Sequence, residues 1–167
     1  MDNHTKFDGD QQTVQQLLKG VGYQTAMIGK WHLDSEPTNF DFWEILPGQG
    51  DYYNPAFITP EGNKNYEGYV TDIITDMSID WMENERDKED PFCLFIHHKV
   101  AHRNWMSDTT HLALYEDKEF EIPDNFYDDY EGRIAAAEQE MSIASAHDMD
   151  IVNDLKMKRK GVETRLS

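Results

Sequence analysis

Two short apolar runs, each followed directly by basic or imidazole side chains, dominate the hydrophobic pattern of the chain. The first run covers residues 23–28 between Gly22 and Gly29, and the second covers residues 92–96 after a charged turn. Apolar runs of this length with glycine or charged boundaries are typical of strands in a covered parallel sheet. We therefore predict two buried parallel strands.

Each predicted strand follows a predicted helix. Asp10 or Thr13 can cap a first helix that ends near Lys19, and apolar residues at helical spacing predict a second helix over residues 69–86. A third helical run begins at Ile134. Because a helix that leads into a strand is half of a βαβ unit, the predicted fold class is α/β, with a mixed, mainly parallel sheet and flanking helices.

The residue pattern between residues 34 and 68 is different, because prolines and glycines interrupt every long helical or strand-like pattern of apolar residues. We predict a long loop there, rich in aromatic residues. The rings either fix the loop to the body of the protein or form a platform for a sugar, and Tyr52 and Tyr53 are the candidate sugar contacts. The polar ends, residues 1–9 and 156–167, are predicted to be disordered and frayed.

Composition narrows the classes of partner. The chain has 167 residues, with 33 Asp and Glu residues against 15 Lys and Arg residues and a net charge of −18. This balance argues against nucleic acid or an anionic membrane surface as a partner. No apolar stretch is long enough to span a bilayer. The single cysteine, Cys93, excludes an internal disulfide and fits a strand interior as a small apolar side chain.

Candidate chemistry follows the first strand. Lys30 and His32 lie just past its carboxyl end, which is where ligand crevices form in open α/β sheets. Residues two apart in an extended segment point to the same side, so both side chains can face one ligand. An ammonium group beside an imidazole suits an anionic oxygen group.

The second strand ends in the run from His97 to Trp105, which is rich in protonatable groups. Three histidines lie within six residues, but no further Cys or His spacing completes a tetrahedral zinc set, so we predict no metal site in this chain. Histidine suits proton donation to a leaving oxygen near neutral pH. One of the three histidines is therefore a candidate proton donor, and the other two are expected to be structural.

These stretches resemble one known family. The segment from Gly22 to Leu33 has the pattern Gly-Tyr-x-Thr-x-x-x-Gly-Lys-x-His-Leu, which resembles the second signature of the sulfatases. The second cluster resembles the sulfatase motif Lys-Ala-Pro-His-Arg-x-Trp, with Val100 and Ala101 in place of the Ala-Pro pair. Residues 46–55 resemble the branch that acts on N-acetylglucosamine-6-sulfate. The resemblance implies an alkaline-phosphatase-like sandwich.

The resemblance also implies roles for residues. Lys30 would bind a sulfate oxygen and the catalytic aldehyde hydrate, His32 would hydrogen-bond that hydrate, and His102 would protonate the departing sugar oxygen. The remaining candidates are predicted to bind the sulfated carbohydrate: Tyr52, Tyr53, His98, Lys99, Arg103 and Trp105.

Other features of the family are expected outside this chain. Sulfatases make a formylglycine from a Cys/Ser-x-Pro/Ala-x-Arg motif and bind calcium through aspartates and an Asp-Asn pair, and the chain has no recognisable copy of either. We therefore expect residues 1–167 to be part of a catalytic domain of an exported enzyme, inactive alone. Two alternatives remain: a phosphoesterase of the same superfamily, and a non-catalytic relative that binds carbohydrate.

Overall fold

The computed structural model describes residues 5–125, 128 and 130–138. The chain forms two compact units, Met1–Ala101 and His102–Ser167. The first unit contains a sheet, and in the second the described residues include one short helix.

The first unit is built on a five-stranded mixed sheet. Its strands are β1 (Gln24–Trp31), β2 (Phe42–Pro47), β3 (Ala56–Thr59), β4 (Gly62–Asn65) and β5 (Phe92–His97). The spatial order is β4-β3-β2-β1-β5. β1 is parallel to both of its neighbours, β2 and β5, whereas the other two pairings are antiparallel. The predicted α/β class with a mixed sheet is confirmed.

The helices lie close to their predicted positions. Helix α1 is Val14–Lys19 and starts directly after Thr13, although no side-chain hydrogen bond caps it. Helix α2 is Val70–Asp80 and continues into a π-helical turn, Trp81–Glu85. In the second unit, α3 is Ile134–Ala137. Helical spacing thus located α1 and α2 and the helix-favouring run at Ile134 located α3, but neither indicated the π-helical turn after α2.

The prediction of a loop over residues 34–68 was wrong, because β2, β3 and β4 lie within it. The prolines do not interrupt these strands. Pro47 is the last residue of β2, Pro55 directly precedes β3, and Pro60 lies in the turn between β3 and β4. Proline has no N–H to donate to a neighbouring strand, and at the boundary of a strand or in a turn that missing hydrogen bond disturbs the sheet little.

The amino-terminal segment also differs from the prediction of disorder over residues 1–9. The Phe7 N–H donates to the Leu33 carbonyl at 2.9 Å, and the Thr38 hydroxyl donates to the Gly9 carbonyl at 3.3 Å. Phe7 and Gly9 are therefore hydrogen-bonded to the segment that follows β1. Residues 1–4 and the predicted frayed tail, 156–167, lie outside the described residues.

The core lies between one face of the sheet and α2. Ala26 and Ile28 point to this face, as alternate residues of β1 must, and both are fully buried. They pack in a cluster with residues of β2, β3 and α2: Leu46, Phe57, Val70, Ile73, Ile74 and Trp81. This apolar contact holds β1 rigidly and so fixes where its carboxyl end delivers Lys30.

β5 corrects a second prediction. It forms one end of the described sheet, and its side chains are half-buried or exposed rather than buried. Phe92 and Ile96 are both exposed, and Cys93 is half-buried. A run of apolar residues predicts a strand but not its place in the sheet. The run at β5 therefore did not show that this strand has only one neighbour among the described strands and is only partly buried.

Candidate functional site

Gly29 brings β5 close to the end of β1. Its φ angle is +107°, and a Cβ at this position would meet the carbonyl group of His97, with the carbonyl carbon at 2.9 Å. The two residues are register partners across the β1–β5 pairing. Beyond this contact, His97 Nδ1 lies 3.3 Å from the Lys30 carbonyl oxygen. Glycine is therefore required for the strand end that presents Lys30.

Thr25 fixes the other neighbour of β1. Its side chain is fully buried, and its hydroxyl lies 3.0 Å from Asp41 Oδ2 and 3.1 Å from the Asn39 carbonyl oxygen. The Thr25 N–H also donates to Asp41 Oδ2 at 2.9 Å. These bonds hold the start of β2 against β1. The threonine in the Gly22–Leu33 segment is thus structural.

Asp41 itself is charged at neutral pH. Burial acts to raise the pKa of this carboxyl group, but hydrogen bonds from Lys19 and Thr25 outweigh it and hold the pKa below its ordinary value. Lys19 Nζ lies 2.5 Å from Asp41 Oδ1, at a half-exposed position. The carboxylate is therefore the stable form that accepts the bonds from Thr25.

Gln49 joins the two predicted catalytic side chains of the first unit. Lys30 Nζ donates to Gln49 Oε1 at 2.7 Å, and Gln49 Nε2 lies 3.4 Å from His32 Nδ1. Burial lowers the pKa of the Lys30 ammonium. The structure therefore brings Lys30 and His32 to one place, as the spacing predicted, through a residue that the sequence did not single out.

Lys99, two residues after the end of β5, contacts the same residue, Gln49. It is only 6% exposed, its Nζ donates to the Gln49 carbonyl oxygen at 2.8 Å, and it lies 4.6 Å above the centre of the Tyr52 ring. Burial lowers the pKa of Lys99, the charge of Lys30 lowers it further, and Asp51 partly opposes this. Two ammonium groups are thus held near one loop at a like-charge cost.

This arrangement suits an anion. Lys30 and Lys99 are partly desolvated cations that repel each other, and an oxyanion beside them would relieve that repulsion. Charge-assisted hydrogen bonds from such groups are strong. The site can therefore bind a sulfate-like or phosphate-like group at the carboxyl end of β1 and place an imidazole next to it.

The predicted aromatic contacts are placed differently from one another. Tyr52 is 5% exposed and belongs to the core, so its ring supports Lys99 and is not available for stacking on a sugar. Tyr53 is half-buried and packs against Tyr69 with ring centres 5.2 Å apart. His98 is exposed beside Lys99. The platform hypothesis was therefore wrong for Tyr52, because the ring is part of the core.

Three further predicted residues lie in the second unit. His102 and Trp105 are exposed, and Arg103 is half-buried. His102 Nδ1 is within hydrogen-bond distance of the Arg103 carbonyl oxygen. Their predicted contribution to the same site as Lys30 stays a prediction.

Gln49 is the functional candidate that the sequence analysis missed. It lies in the turn that follows β2, and β2 is the parallel neighbour of β1. The position of Gln49 after a strand could have indicated the site, because the carboxyl ends of adjacent parallel strands meet at one edge of a sheet. Assigning residues 34–68 to a loop hid that relation.

A metal site was not expected in this chain. Among residues 5–125, 128 and 130–138, no group of three or more His, Cys, Asp or Glu side chains could hold a metal ion. These residues do not provide the cluster of oxygen ligands that calcium needs.

Within the same described residues, no helix is long and apolar enough to cross a membrane.

Comparison with known proteins identifies the family. A profile described as Sulfatase matches residues 2–149, which is most of the chain. The chain belongs to the sulfatase family. It is 55% identical over 146 residues to an N-acetylglucosamine-6-O-sulfatase of Bacteroides thetaiotaomicron, an alignment that covers 85% of this chain and 26% of that protein. It is also 26% identical over 130 residues to a mouse N-acetylgalactosamine-6-sulfatase, which covers 63% and 23% of the two chains.

Solved structures agree on the fold. The sulfatase chain BT4656, determined in complex with D-glucosamine-2-N,6-O-disulfate, matches with a TM-score of 0.84 and 52% identity over 94% of this chain and 32% of that one. The structure of Ps i-CgsB in complex with k-i-k-neocarrahexaose matches in fold alone, with a TM-score of 0.62 and 16% identity over 70% and 32% of the two chains. The alkaline-phosphatase-like fold of the sulfatases is confirmed. The chain spans about a quarter to a third of the length of these relatives.

Proposed function

We propose that the protein containing this chain is a sulfuric ester hydrolase that removes the 6-sulfate from N-acetylglucosamine in glycosaminoglycans or mucin. The observation that supports this most directly is the convergence of Lys30, His32 and Lys99 on Gln49 at the carboxyl end of β1. The named specificity of the 55% identical relative supports the choice of sugar.

Each side chain has a chemical task in this proposal. The Lys30 ammonium binds a sulfate oxygen and stabilises negative charge as the sulfuryl group passes from the sugar oxygen to a nucleophilic hydroxyl. The family resemblance implies that an aldehyde hydrate, formed from a motif that this chain does not contain, would supply that hydroxyl. The His32 imidazole would hydrogen-bond the aldehyde hydrate that the family resemblance implies and help to release sulfate from it. His102 gives a proton to the sugar oxygen as its bond to sulfur breaks, because an alkoxide is a poor leaving group.

Lys99, in the segment that follows β5, supports this chemistry. Its buried ammonium adds a second positive charge beside the sulfate group. His98, Tyr53, Arg103 and Trp105 are proposed to contact the sugar. The substrate is then a sulfated carbohydrate outside the cell, so we infer that the protein is exported.

Calcium belongs to the family chemistry that the resemblance implies, where it neutralises sulfate oxygens. The described residues of this chain form no fitting ligand cluster. No residue of this chain is therefore assigned to the ion, and none of the tasks given to Lys30, His32 and His102 depends on it.

The test is hydrolysis by the natively expressed protein. N-acetylglucosamine-6-sulfate should release sulfate, whereas N-acetylglucosamine-6-phosphate should release phosphate at a negligible rate. Faster release of phosphate would show a phosphoesterase. Binding of the sulfated sugar without release of either anion would show a carbohydrate-binding relative, and both results would contradict the proposal.

A further inference from the structure

The donor and acceptor chemistry around Gln49 has only one consistent arrangement. The Lys30 ammonium can only donate, so the amide oxygen of Gln49 must face it, as observed at 2.7 Å. The amide nitrogen then faces His32 Nδ1 at 3.4 Å. An amide NH₂ group also only donates, so Nδ1 must accept. The hydrogen of the neutral imidazole is thereby placed on Nε2.

The turn that contains Gln49 is fixed at several points. The Gly48 N–H donates to the Trp31 carbonyl and the Gly50 N–H donates to the Pro47 carbonyl, each at 3.1 Å. The Gln49 carbonyl accepts from the buried Lys99. The backbone that carries the Gln49 side chain is therefore hydrogen-bonded to β1 and to the segment that follows β5.

We propose that Gln49 is a positioning residue, whose side-chain amide holds the Lys30 ammonium and the His32 imidazole in one orientation and keeps the hydrogen of His32 on Nε2. The proposal deepens the sulfatase function proposed above and rests on it for its kinetic consequence. With the hydrogen on Nε2, His32 can donate a hydrogen bond to an oxygen in the site without first changing its tautomer.

Two variants test this side chain while the backbone carbonyl bond to Lys99 stays available. Gln49→Glu has the same shape but can only accept, so it should draw the hydrogen of His32 to Nδ1. Gln49→Ala removes both side-chain contacts. Gln24→Glu is the matched control, because Gln24 also bonds through both amide atoms, to Asp87, but at the opposite end of β1.

Two readouts on the natively expressed protein are compared. Nitrogen NMR of ¹⁵N-histidine-labelled protein, assigned with His32→Ala, should show His32 hydrogen on Nε2 in the parent and in Gln24→Glu, but on Nδ1 in Gln49→Glu. Both Gln49 variants should lose kcat by about 10- to 100-fold with a smaller change in KM, as is usual when the partner that orients an active-site histidine is removed. Thermal melts check folding, and the near-isosteric Gln49→Glu keeps the test available if Gln49→Ala is unstable.

Failure of this proposal differs from failure of the function. If the parent hydrolyses the sulfate ester but Gln49→Glu keeps both the Nε2 hydrogen and the parental kcat, the positioning role of Gln49 is wrong. If the parent shows no hydrolysis, the proposed function fails, and the NMR result alone then decides whether Gln49 sets the tautomer of His32.

Discussion

Gly29→Ala should be one of the most destabilising small substitutions in the first unit. The residue has φ +107°, and its added Cβ would meet the backbone carbonyl of His97 in β5. A side chain at such a φ angle costs about 1–3 kcal/mol. Since backbone cannot move aside as a flexible side chain does, β5 must also shift, and overpacking of this kind costs about 1–3 kcal/mol more. We expect a total loss of about 2–6 kcal/mol.

Gly62→Ala separates the two contributions. Gly62 has a similar φ angle of +125°, but nothing lies within 4 Å of the position its Cβ would take. Its loss should therefore be limited to the backbone strain of about 1–3 kcal/mol. Urea unfolding of the natively expressed protein, followed by far-UV circular dichroism, measures both variants. If Gly29→Ala is no less stable than Gly62→Ala, the close approach of β5 to β1 is not a constraint and the reasoning is refuted.

Three further predictions concern the groups around the site. Thr25→Val should lower stability by about 1–3 kcal/mol, because it removes the hydrogen bonds that the fully buried hydroxyl makes to the Asp41 carboxylate and the Asn39 carbonyl oxygen. Thr75→Val on the exposed side of α2 should cost little, and chemical denaturation compares the two variants. The pKa of Asp41 is lowered in the folded protein, so its stabilising contribution is complete above its ordinary pKa and is lost as the pH falls through the lower folded value. Asp41→Asn should remove that part of the dependence of Tm on acid pH, and an unchanged dependence would contradict the contribution of Asp41. Lys30→Ala should raise the pKa of Lys99 by removing a like charge, seen by NMR titration of ¹³C-methylated lysines; no shift, or a downward one, would contradict the coupling.

The sequence contained enough information for the two parallel strands and for the position of Lys30 and His32 beside each other at the end of β1. Apolar runs located β1 and β5, and strand alternation put Lys30 and His32 on one side. The sequence did not predict β2 or the turn that follows it, because the prolines of this region favour a loop. In the structure, Pro47 is the last residue of β2 and Pro55 directly precedes β3. Proline is excluded from the middle of a central strand but not from the ends of a strand.

Burial was the second property that sequence could not give. The aromatic density of residues 34–68 fits either a ligand platform or a set of core contacts, and only packing decides. Tyr52 and Phe57 proved to be core residues. Lys99 shows the converse, since a lysine in a polar run is usually exposed, yet this one lies buried above the Tyr52 ring.

The most direct test of the account is the rate of sulfate release from N-acetylglucosamine-6-sulfate by the natively expressed protein and its Lys30→Ala variant. Lys64→Ala is the control, since Lys64 lies on β4 and pairs with Glu44 away from the site. We predict a loss of kcat of about 10²- to 10³-fold for Lys30→Ala, as when a group that stabilises transition-state charge is removed, and parental kinetics for Lys64→Ala. Equal activity of the parent and a folded Lys30→Ala variant would contradict the claim that the carboxyl end of β1 is the sulfate ester site.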